Sequence, residues 1–396
     1  MKDKRIENKP VRLVRIMTVP LSIEYILRGQ LAYFREQGFD VYSVSADGPE
    51  VPSIVSREKV PHTVLPFTRK ITPFTDLYCL VLLVLFLLRV RPQIVHTQTP
   101  KAGLIGMLAA WICRVPVRIH TIGGMPLMEA TGFTRKILYW SEKITYACAH
   151  QVWPNSKALC DFIVHDLRID KSKLRVIGNG SSNGIDTEKF KRTPELMAEA
   201  QALREQHGIK SDDVVFCFVG RLVRDKGVHE LIEAFCRLKE KDNTVRLFLV
   251  GHFEDILDPI SDHYKKLIAS DPAIIAPGFS TQVSLYMAAS DVFVFPSYRE
   301  GFPNVVLQAC SMELPAIVTD INGSNEIIRE GQNGLIVSPK NAEELYRAME
   351  LLRADGPLRQ KLAGQTRSRV VELFDQRNFW DKLREQYINL LKQRVS

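Results

Sequence analysis

The sequence lacks the features that mark secreted, disulfide-bonded or metal-binding proteins. Its seven cysteines are scattered over 396 residues without the paired spacing of a metal or redox site. Residues 1–10 are polar and charged and contain no apolar core of a signal peptide. Unpatterned cysteines are typical of reducing compartments, where they pack as small apolar side chains. We therefore expect a cytoplasmic protein.

Long apolar runs are also missing. The most apolar stretch, LYCLVLLVLFLL, covers residues 77–88 and is bounded by Asp76 and Arg89. A helix that spans a bilayer needs about 20 apolar residues, so this stretch predicts a buried helix of the core. The alternative is a helix that dips partly into a membrane interface, with Arg89 and Arg91 near the headgroups.

Negative charge is scarce in the first half of the chain. Residues 1–205 hold 29 Lys and Arg against 19 Asp and Glu, a net charge of +10, whereas residues 206–396 hold 24 against 26, a net charge of −2. A basic half suits a membrane, nucleic acid or a phosphorylated lipid, or it is a solvated face without a partner. No arginine-rich tract or basic motif with interleaved aromatic residues supports nucleic acid. We expect an anionic membrane surface as partner and no nucleic acid.

Predicted strands and helices alternate along the chain in two successive sets. VRLVRIMTV at residues 11–19 opens the first set, and VVFCFV at residues 214–219 opens the second. This alternation predicts an α/β fold, with parallel sheets covered by helices on both faces. A chain of 396 residues also exceeds the comfortable size of one hydrophobic core, which favours two domains.

We expect two doubly wound, Rossmann-like domains that face a cleft. The first covers residues 1–192 and the second covers residues 193–375, and a C-terminal helix at residues 376–396 crosses back onto the first domain. In such sheets ligands bind at the carboxyl ends of the strands. The loops that follow the strands are therefore where functional residues are expected.

The segment GRLVRDKG, residues 220–227, lies between a predicted buried strand and a helix. Its terminal glycines allow a tight turn and close approach of the backbone. Arg221 and Lys226 place two cations beside a helix N-terminus, and both features attract a diphosphate. The alternative is a pair of surface cations on an ordinary loop.

Two further glycine-containing turns follow later strands. FPSYREGFPN, residues 295–304, carries Glu300, whose carboxylate can accept hydrogen bonds from sugar hydroxyls, although an acid at a helix N-terminus is common. The amides after Gly301 point outward toward an anion. DINGSNE, residues 320–326, follows the next strand. Three such turns at successive strand ends favour a ligand site over a purely structural role.

Four segments in this order, GRLVRDKG, FPSYREGFPNVVLQA, TDINGSNEII and EGQNGLIV, resemble the C-terminal domain of retaining glycosyltransferases with the GT-B fold, in the family numbered four. IVHTQTPKAG, RIHTIGG, PNSKAL and NGIDTEKF are similar to the matching N-terminal half, so the resemblance covers nearly the whole chain. The subgroup that it resembles builds bacterial capsular, exopolysaccharide or lipid-linked oligosaccharides. The resemblance implies an N-terminal acceptor domain and a C-terminal domain for the nucleotide sugar.

The resemblance also implies roles for individual residues. Arg221 and Lys226 would hold the donor pyrophosphate, and Glu300 would contact the donor sugar as a catalytic residue. His120 matches a second catalytic residue, a histidine that faces the reacting sugar, although a hydrogen-bonded histidine at a strand end is an equal alternative. The other implied donor-binding residues are Gly301, Phe302, Pro303, Asn304, Gln308, Gly323, Ser324 and Glu326.

Two positions depart from the family pattern. Gln308 stands where the family usually has a second glutamate that binds the ribose hydroxyls. Because glutamine keeps an acceptor but loses the charge, we expect weaker nucleotide binding. The first turn, TVPLS at residues 18–22, lacks the glycine pair of many members.

Acceptor-side candidates lie in loops of the basic half. Lys101 begins a predicted helix beside a strand end, where its ammonium group could meet a second phosphate. Surface charge without a ligand is the alternative for each candidate. The full set is Arg69, Lys70, Lys101 and Glu129.

The resemblance implies a hexosyltransferase that retains the anomeric configuration. No Asp-x-Asp pair lies near the predicted site and no metal-type cluster is apparent in the sequence, so we expect no metal and no cofactor. The expected substrates are a UDP-hexose or UDP-N-acetylhexosamine and a polyprenyl-diphosphate-linked saccharide at the inner face of the cell membrane. The alternatives are a sugar-nucleotide epimerase or phosphorylase with the same architecture and, because of Gln308, a weakly active or non-catalytic relative.

Overall fold

The computed structural model of the chain describes residues 10–128, 130–254 and 258–395. These residues form two compact units. One consists of the chain up to Gly184 together with the chain from Gln376, and the other is the segment Ile185–Asp375. Each unit is built on its own parallel sheet, so the predicted α/β class with two doubly wound sheets is confirmed.

The first unit contains a six-stranded parallel sheet between helices. Its elements before residue 184 are β1 (Arg12–Ile16), α1 (Pro20–Ile26), α2 (Gln30–Glu36), β2 (Asp40–Ser45), α3 (Val51–Glu58), β3 (His62–Val64), α4 (Pro73–Val90), β4 (Ile94–Gln98), α5 (Pro100–Ile112), β5 (Val117–Ile122), α6 (Gly132–Cys148), β6 (Gln151–Pro154) and α7 (Lys157–Asp166). The strand order is β3-β2-β1-β4-β5-β6. The order therefore reverses between β1 and β4, and such a switch point is where ligands bind in open α/β sheets.

The second unit repeats this architecture with its own six-stranded parallel sheet. Its elements are α8 (Pro194–Gln206), β7 (Val214–Val219), α9 (Val228–Lys241), β8 (Val245–Val250), α10 (Asp262–Ser270), β9 (Ile274–Gly278), α11 (Val283–Ala288), β10 (Val292–Phe295), α12 (Asn304–Ser311), β11 (Ala316–Thr319), α13 (Ser324–Ile327), β12 (Gly334–Val337), α14 (Ala342–Ala354) and α15 (Gly356–Phe374). The strand order is β12-β11-β10-β7-β8-β9, which reverses between β10 and β7. Every residue of β7 is buried, as expected for a central parallel strand.

The C-terminal helix α16 (Gln376–Val395) packs on the first unit. The indole Nε1 of Trp380 donates a hydrogen bond to Asn183 Oδ1 at 2.7 Å. Tyr387 is fully buried and stacks on Trp153 of β6, with 5.8 Å between the ring centroids. Aromatic burial of this size is worth a few kcal/mol per side chain, so α16 is part of the core of that unit.

The division between the units falls eight residues before the predicted boundary at residue 192. The amide of Ile185 donates to the carbonyl of Phe374 at 2.9 Å, and Thr187 Oγ1 donates to Asp375 Oδ2 at the same distance. Phe190 lies in the core of the second unit. Residues 185–192 therefore pair with the end of α15, a long-range contact that no local sequence pattern reveals.

Helix α4 corrects the prediction of a buried core helix at residues 77–88. Only Cys79, Leu83 and Leu87 are buried among its described residues, whereas Leu77 and Leu85 are exposed. One stripe of the helix is buried on the unit, the side chains that flank it are partly buried against the same core, and the outermost side chains are exposed. By length and composition alone, α4 is the single described helix that could cross a membrane. Apolar composition predicted burial, but it could not show whether a second layer lies outside the helix.

Candidate active site

The polar turns of the second unit gather at its switch point. The turn of residues 220–227 follows β7, and the turn of residues 296–303 follows β10, the neighbouring strand across the reversal. Because both strands are buried and apolar, their polar residues are confined to these turns. The carboxyl ends of parallel strands meet at one edge of the sheet, so the two predicted ligand turns lie side by side.

Two glycines allow these turns to touch through their backbones. Gly227 has a φ of +70°, and a Cβ atom there would lie 2.0 Å from the carbonyl oxygen of Pro296. Gly323 has a φ of +75°, and a Cβ atom there would lie 2.7 Å from the carbonyl oxygen of Gly301. Only glycine fits such left-handed positions at this approach. The turn of residues 295–304 is thus packed directly against both of the other predicted turns.

Lys226 and Glu300 form an ion pair between the first two turns. Their side chains are only 15% and 18% exposed. The Lys226 ammonium also lies 5.9 Å from the centroid of the Phe295 ring, and Ser297 Oγ donates to Glu300 Oε1 at 3.2 Å. Partial burial strengthens the pair relative to one in water. The cation and the carboxylate that the sequence assigned to one ligand are therefore in direct contact.

Asn322 holds the Glu300 turn in place. Its side-chain amide donates to the carbonyl oxygens of Glu300 and Gly301, each at 3.1 Å. Asp225 supports the same turn from the other side, because its carboxylate pairs with Arg299 at 2.9 Å and its carbonyl accepts from the amide of Tyr298 at 2.8 Å. None of these supporting residues was predicted as a site residue. Asp225 and Arg299 are next to Lys226 and Glu300 in the sequence, and this adjacency was the signal that could have identified them.

Arg221 lies apart from this pair. Its guanidinium forms an ion pair with Glu254, in the turn after β8, and its side chain is 45% exposed. Exposed ion pairs contribute little stability, about 0–1 kcal/mol. A phosphate could therefore displace Glu254 at a low cost in free energy. Because the Arg221 side chain is partly exposed, an anionic ligand can reach its guanidinium from solvent.

The remaining predicted donor residues occupy varied surroundings. Phe302 is buried and packs on Phe374 with 5.5 Å between the ring centroids, so its side chain fixes the turn to the end of α15. Ser324 is fully buried, and its hydroxyl has no hydrogen-bond partner among the described residues. Pro303 is buried, and the half-buried residues are Gly301, Asn304, Gln308 and Glu326. Gly323 is the N-cap residue of α13.

His120 is enclosed within the first unit. It is 2% exposed, its Nδ1 lies 2.8 Å from Thr97 Oγ1, and its ring faces Tyr146. A Cβ atom at Gly103 would lie 2.4 Å from its ring, so α5 covers it closely. Burial lowers the pKa of His120 to about 3, which keeps the imidazole neutral. These surroundings favour the alternative of a hydrogen-bonded strand histidine over contact with a sugar.

The acceptor-side candidates are divided by the structure. Lys101 donates to Asp76 Oδ1 at 2.8 Å and to Thr68 Oγ1 at 2.9 Å, so it ties the loop before α4 to the start of α5. Arg69 and Lys70 are exposed in that loop. Glu129 lies outside the described residues.

A strained turn marks the switch point of the first unit, where the sequence lacks the family's glycine pair. Thr99, after β4, has a φ of +77°, although it carries a β-branched side chain. Its hydroxyl lies 2.7 Å from that of Thr18, after β1, and Thr18 Oγ1 accepts from the amide of Ala102 at 3.2 Å. Strain of this kind is often held at functional sites. The dihedral angle of Thr99 could not be read from the sequence.

No group of three or more His, Cys, Asp or Glu side chains with the geometry of a metal site occurs in residues 10–128, 130–254 and 258–395. The charged residues of the two turns at the switch point of the second unit are Arg221, Arg224, Asp225, Lys226, Arg299 and Glu300. This arrangement can bind an anion through its cations and hydroxyl groups through its carboxylates.

Known proteins with similar sequences match both halves of the chain. Residues 199–369 match the family described as glycosyl transferases group 1, and residues 23–189 match glycosyltransferase family 4. The capsular polysaccharide biosynthesis glycosyltransferase CapM of Staphylococcus aureus is 34% identical, over 97% of this chain and 99% of that protein. The Escherichia coli UDP-Gal:alpha-D-GlcNAc-diphosphoundecaprenol alpha-1,3-galactosyltransferase is 24% identical, over 96% of this chain and 97% of that protein.

Solved structures show the same fold. The crystal structure of HepE from Anabaena in complex with UDP superposes with a TM-score of 0.81 at 19% identity, over 96% of this chain and 100% of that one. The sequence similarity along nearly the whole chain and the two doubly wound sheets indicate the same family and fold. The chain therefore belongs to glycosyltransferase family 4 and has the GT-B fold.

Proposed function

We propose that this glycosyltransferase moves a hexose or N-acetylhexosamine from a UDP-sugar to a polyprenyl-diphosphate-linked saccharide, in the assembly of a surface polysaccharide. The contact between Lys226 and Glu300 at the switch point carries this proposal. The names of two relatives support it, since one acts in capsular polysaccharide biosynthesis and the other uses UDP-Gal and an undecaprenol-linked acceptor. With such an acceptor the enzyme would act at the inner face of the cell membrane.

The donor would bind by exchange of ion pairs. A diphosphate that approaches the turn of residues 220–227 competes with Glu300 for Lys226 and with Glu254 for Arg221. Once Lys226 contacts phosphate, the carboxylate of Glu300 becomes available to accept hydrogen bonds from sugar hydroxyls. In this exchange the two cations pass from the carboxylates of Glu300 and Glu254 to the two negative charges of the diphosphate.

The chemistry would proceed with retention and without a metal. The leaving diphosphate gains negative charge, which Arg221, Lys226 and the backbone amides near α12 would stabilise. The acceptor hydroxyl would attack from the face that the diphosphate leaves. Closure around the donor would limit its hydrolysis by water.

On the acceptor side we assign Arg69 and Lys70 to phosphate contact, because both are exposed in the loop that Lys101 anchors. Lys101 would act through that loop, since its ammonium group is already surrounded by Asp76 and Thr68. His120 would support the β4–β5 edge through its hydrogen bond to Thr97.

Product analysis tests the proposed function. Purified protein is incubated with a panel of UDP-sugars and GDP-sugars, with and without a lipid-linked monosaccharide, and the products are identified by mass spectrometry and by NMR of the anomeric linkage. We expect transfer from a UDP-sugar, an α linkage from an α donor and an unchanged rate in EDTA. Release of an epimerised sugar nucleotide without acceptor would support an epimerase, and release of a sugar 1-phosphate from an oligosaccharide in added inorganic phosphate would support a phosphorylase. A strict metal requirement would contradict the metal-independent mechanism.

Restoring the acid at position 308 is expected to tighten UDP binding. Gln308 lies half-buried on α12, four residues after Asn304 and so on the same side of the helix. A charged hydrogen bond to a ribose hydroxyl is worth about 1–1.5 kcal/mol more than the neutral one that glutamine can make, so Gln308→Glu should lower the Kd of UDP by about five- to tenfold. Calorimetric titration measures this. Gln365→Glu, an exposed position on α15, is the control for added negative charge. Equal effects of the two changes would refute a ribose contact at 308.

A further inference from the structure

The outward side of α4 is apolar although it is exposed. Leu77, Val81 and Leu85 are 61%, 50% and 59% exposed. Their four-residue spacing makes them one stripe along the helix. The 18 residues of α4 have a mean hydropathy of 2.0, and 22% of them are buried. A helix on a water-exposed surface normally carries polar residues on its outer side, and α4 has none between Asp76 and Arg89 except Tyr78.

The opposite stripe of α4 holds the helix flat on the protein. Cys79, Leu83 and Leu87 are buried at four-residue spacing, and α4 packs against α5. Crossing a bilayer would require this stripe to leave the core. The helix therefore lies along the surface of the unit and presents its side, over a length of about 27 Å.

The neighbouring helices extend this surface. The chain passes from β3 to β4, β5 and β6 in one direction across the sheet, so right-handed connections place α4, α5 and α6 on the same side. Helix α5 packs between the other two. Of the four tryptophans in the chain, Trp111 and Trp140 are exposed on α5 and α6, whereas Trp153 and Trp380 are buried. We name the outward surface of these three helices the α4–α6 face.

The α4–α6 face is bordered by positive charge. Residues 69–148 hold ten Lys and Arg against three Asp and Glu, a net charge of +7. Of the two acids described there, Asp76 pairs with Lys101 and Glu142 is buried. The exposed cations include Arg89, Arg91, Arg114, Arg135 and Lys136. Exposed tryptophans and arginines around an apolar surface are the composition that suits the boundary between anionic headgroups and acyl chains.

We propose that the α4–α6 face docks on an anionic lipid bilayer, with the outer side chains of α4 entering the headgroup boundary and the flanking arginines contacting lipid phosphates. This inference rests on the proposed function, because the lipid-linked acceptor would lie in the leaflet on which the face docks. Helices in such units run opposite to the strands, so the first turns of α4, α5 and α6 lie at the carboxyl edge of the sheet. Docking through this face brings that edge, with the Arg69 and Lys70 loop, to the membrane surface.

Vesicle binding tests the docking. Wild-type protein is sedimented with vesicles of phosphatidylcholine and phosphatidylglycerol, and with pure phosphatidylcholine. The test variant carries Leu77→Ser, Val81→Ser and Leu85→Ser together. The control carries Phe279→Ser, Leu351→Ser and Val371→Ser, three exposed apolar positions of the second unit. We expect the wild type and the control to bind the anionic vesicles, and the test variant to bind at least about tenfold more weakly. Equal binding by the two variants would overturn the proposal.

A second measurement uses the wild-type protein alone. Because Trp111 and Trp140 are the exposed tryptophans, docking should shift their emission to the blue and expose them to quenching by brominated lipid. Unchanged emission in the presence of anionic vesicles would overturn the proposal even if the test variant failed to fold. A pure phosphatidylcholine surface should bind more weakly, since it lacks the net charge that attracts the arginines.

The docking and the enzymatic function can fail separately. On a water-soluble acceptor analogue the test variant should keep the wild-type rate, while on acceptor embedded in vesicles its rate should fall. An inactive wild type that still binds vesicles would contradict the proposed function and leave the docking supported. Light scattering tests whether a second copy of the chain covers this face instead. A wild type that is dimeric and does not bind vesicles, together with a monomeric test variant, would overturn membrane docking and assign the face to a dimer interface.

Discussion

Glu300→Gln is expected to lower kcat on the order of a hundred- to a thousandfold while UDP binds as tightly as before, or more tightly. In the proposed function the carboxylate that pairs with Lys226 turns to the donor sugar, so its loss would remove a charged contact at the reacting centre. Lys226 loses its ion-pair partner in this variant, so a diphosphate no longer competes with a carboxylate for the ammonium group. Steady-state kinetics with acceptor, together with calorimetric titration of UDP, measures both quantities.

The matched control for this variant is Glu350→Gln. Glu350 also pairs with a lysine of the second unit, Lys241, but this pair lies on the surface of α9 and α14. Its removal should leave kcat and UDP affinity unchanged, because exposed ion pairs contribute little. A normal kcat in Glu300→Gln, or an equal loss in both variants, would exclude Glu300 as the residue that contacts the donor sugar.

Gly227→Ala is expected to destabilise the second unit by about 2–5 kcal/mol and to weaken UDP binding by about tenfold or more. The added methyl group would lie 2.0 Å from the carbonyl oxygen of Pro296, at a φ of +70°. The turns after β7 and β10 would have to separate, which breaks the contact of Lys226 with Glu300. Denaturant unfolding and titration of UDP measure the two effects.

Gly208→Ala is the control that separates the effect of backbone strain from the steric clash with Pro296. Gly208 has a φ of +63°, close to that of Gly227, but a Cβ atom there would meet nothing within 4 Å. Only the left-handed conformation is penalised, at about 1–2 kcal/mol, and UDP affinity should not change. If Gly208→Ala and Gly227→Ala proved equally stable and bound UDP alike, the two ligand turns would not depend on close backbone approach.

The arrangement of the candidate site in the second unit could largely be predicted from the sequence because its information is local. Buried apolar strands such as β7 and β10 end in short turns, and the polar residues that cannot enter the sheet are collected there. The order of these turns along the chain, together with parallel strands, places Lys226 and Glu300 at one edge of the sheet. Their direct contact follows from the tertiary structure, since it depends on the approach that Gly227 allows.

The first unit was less predictable because its candidate residues are decided by long-range packing. Lys101 was expected to be available to a ligand, but it is surrounded by Asp76 and Thr68, which precede it by more than twenty residues. His120 was expected at a strand end near the sugar, and α5 encloses it. A sequence motif identifies the residue type and its strand, but it does not show which neighbouring helix covers it.

The amino-acid sequence by itself determined the fold class, the family and the positions of the polar turns after β7 and β10, because each depends on periodicity and on motifs read in order along the chain. Only the tertiary structure decided the exposure of α4, the enclosure of His120, the partner of Lys101 and the attachment of α16 to the first unit. The physical reason is that burial is a property of the layers packed around a residue. Two segments of equal hydrophobicity can lie inside or outside, according to what the rest of the chain places over them.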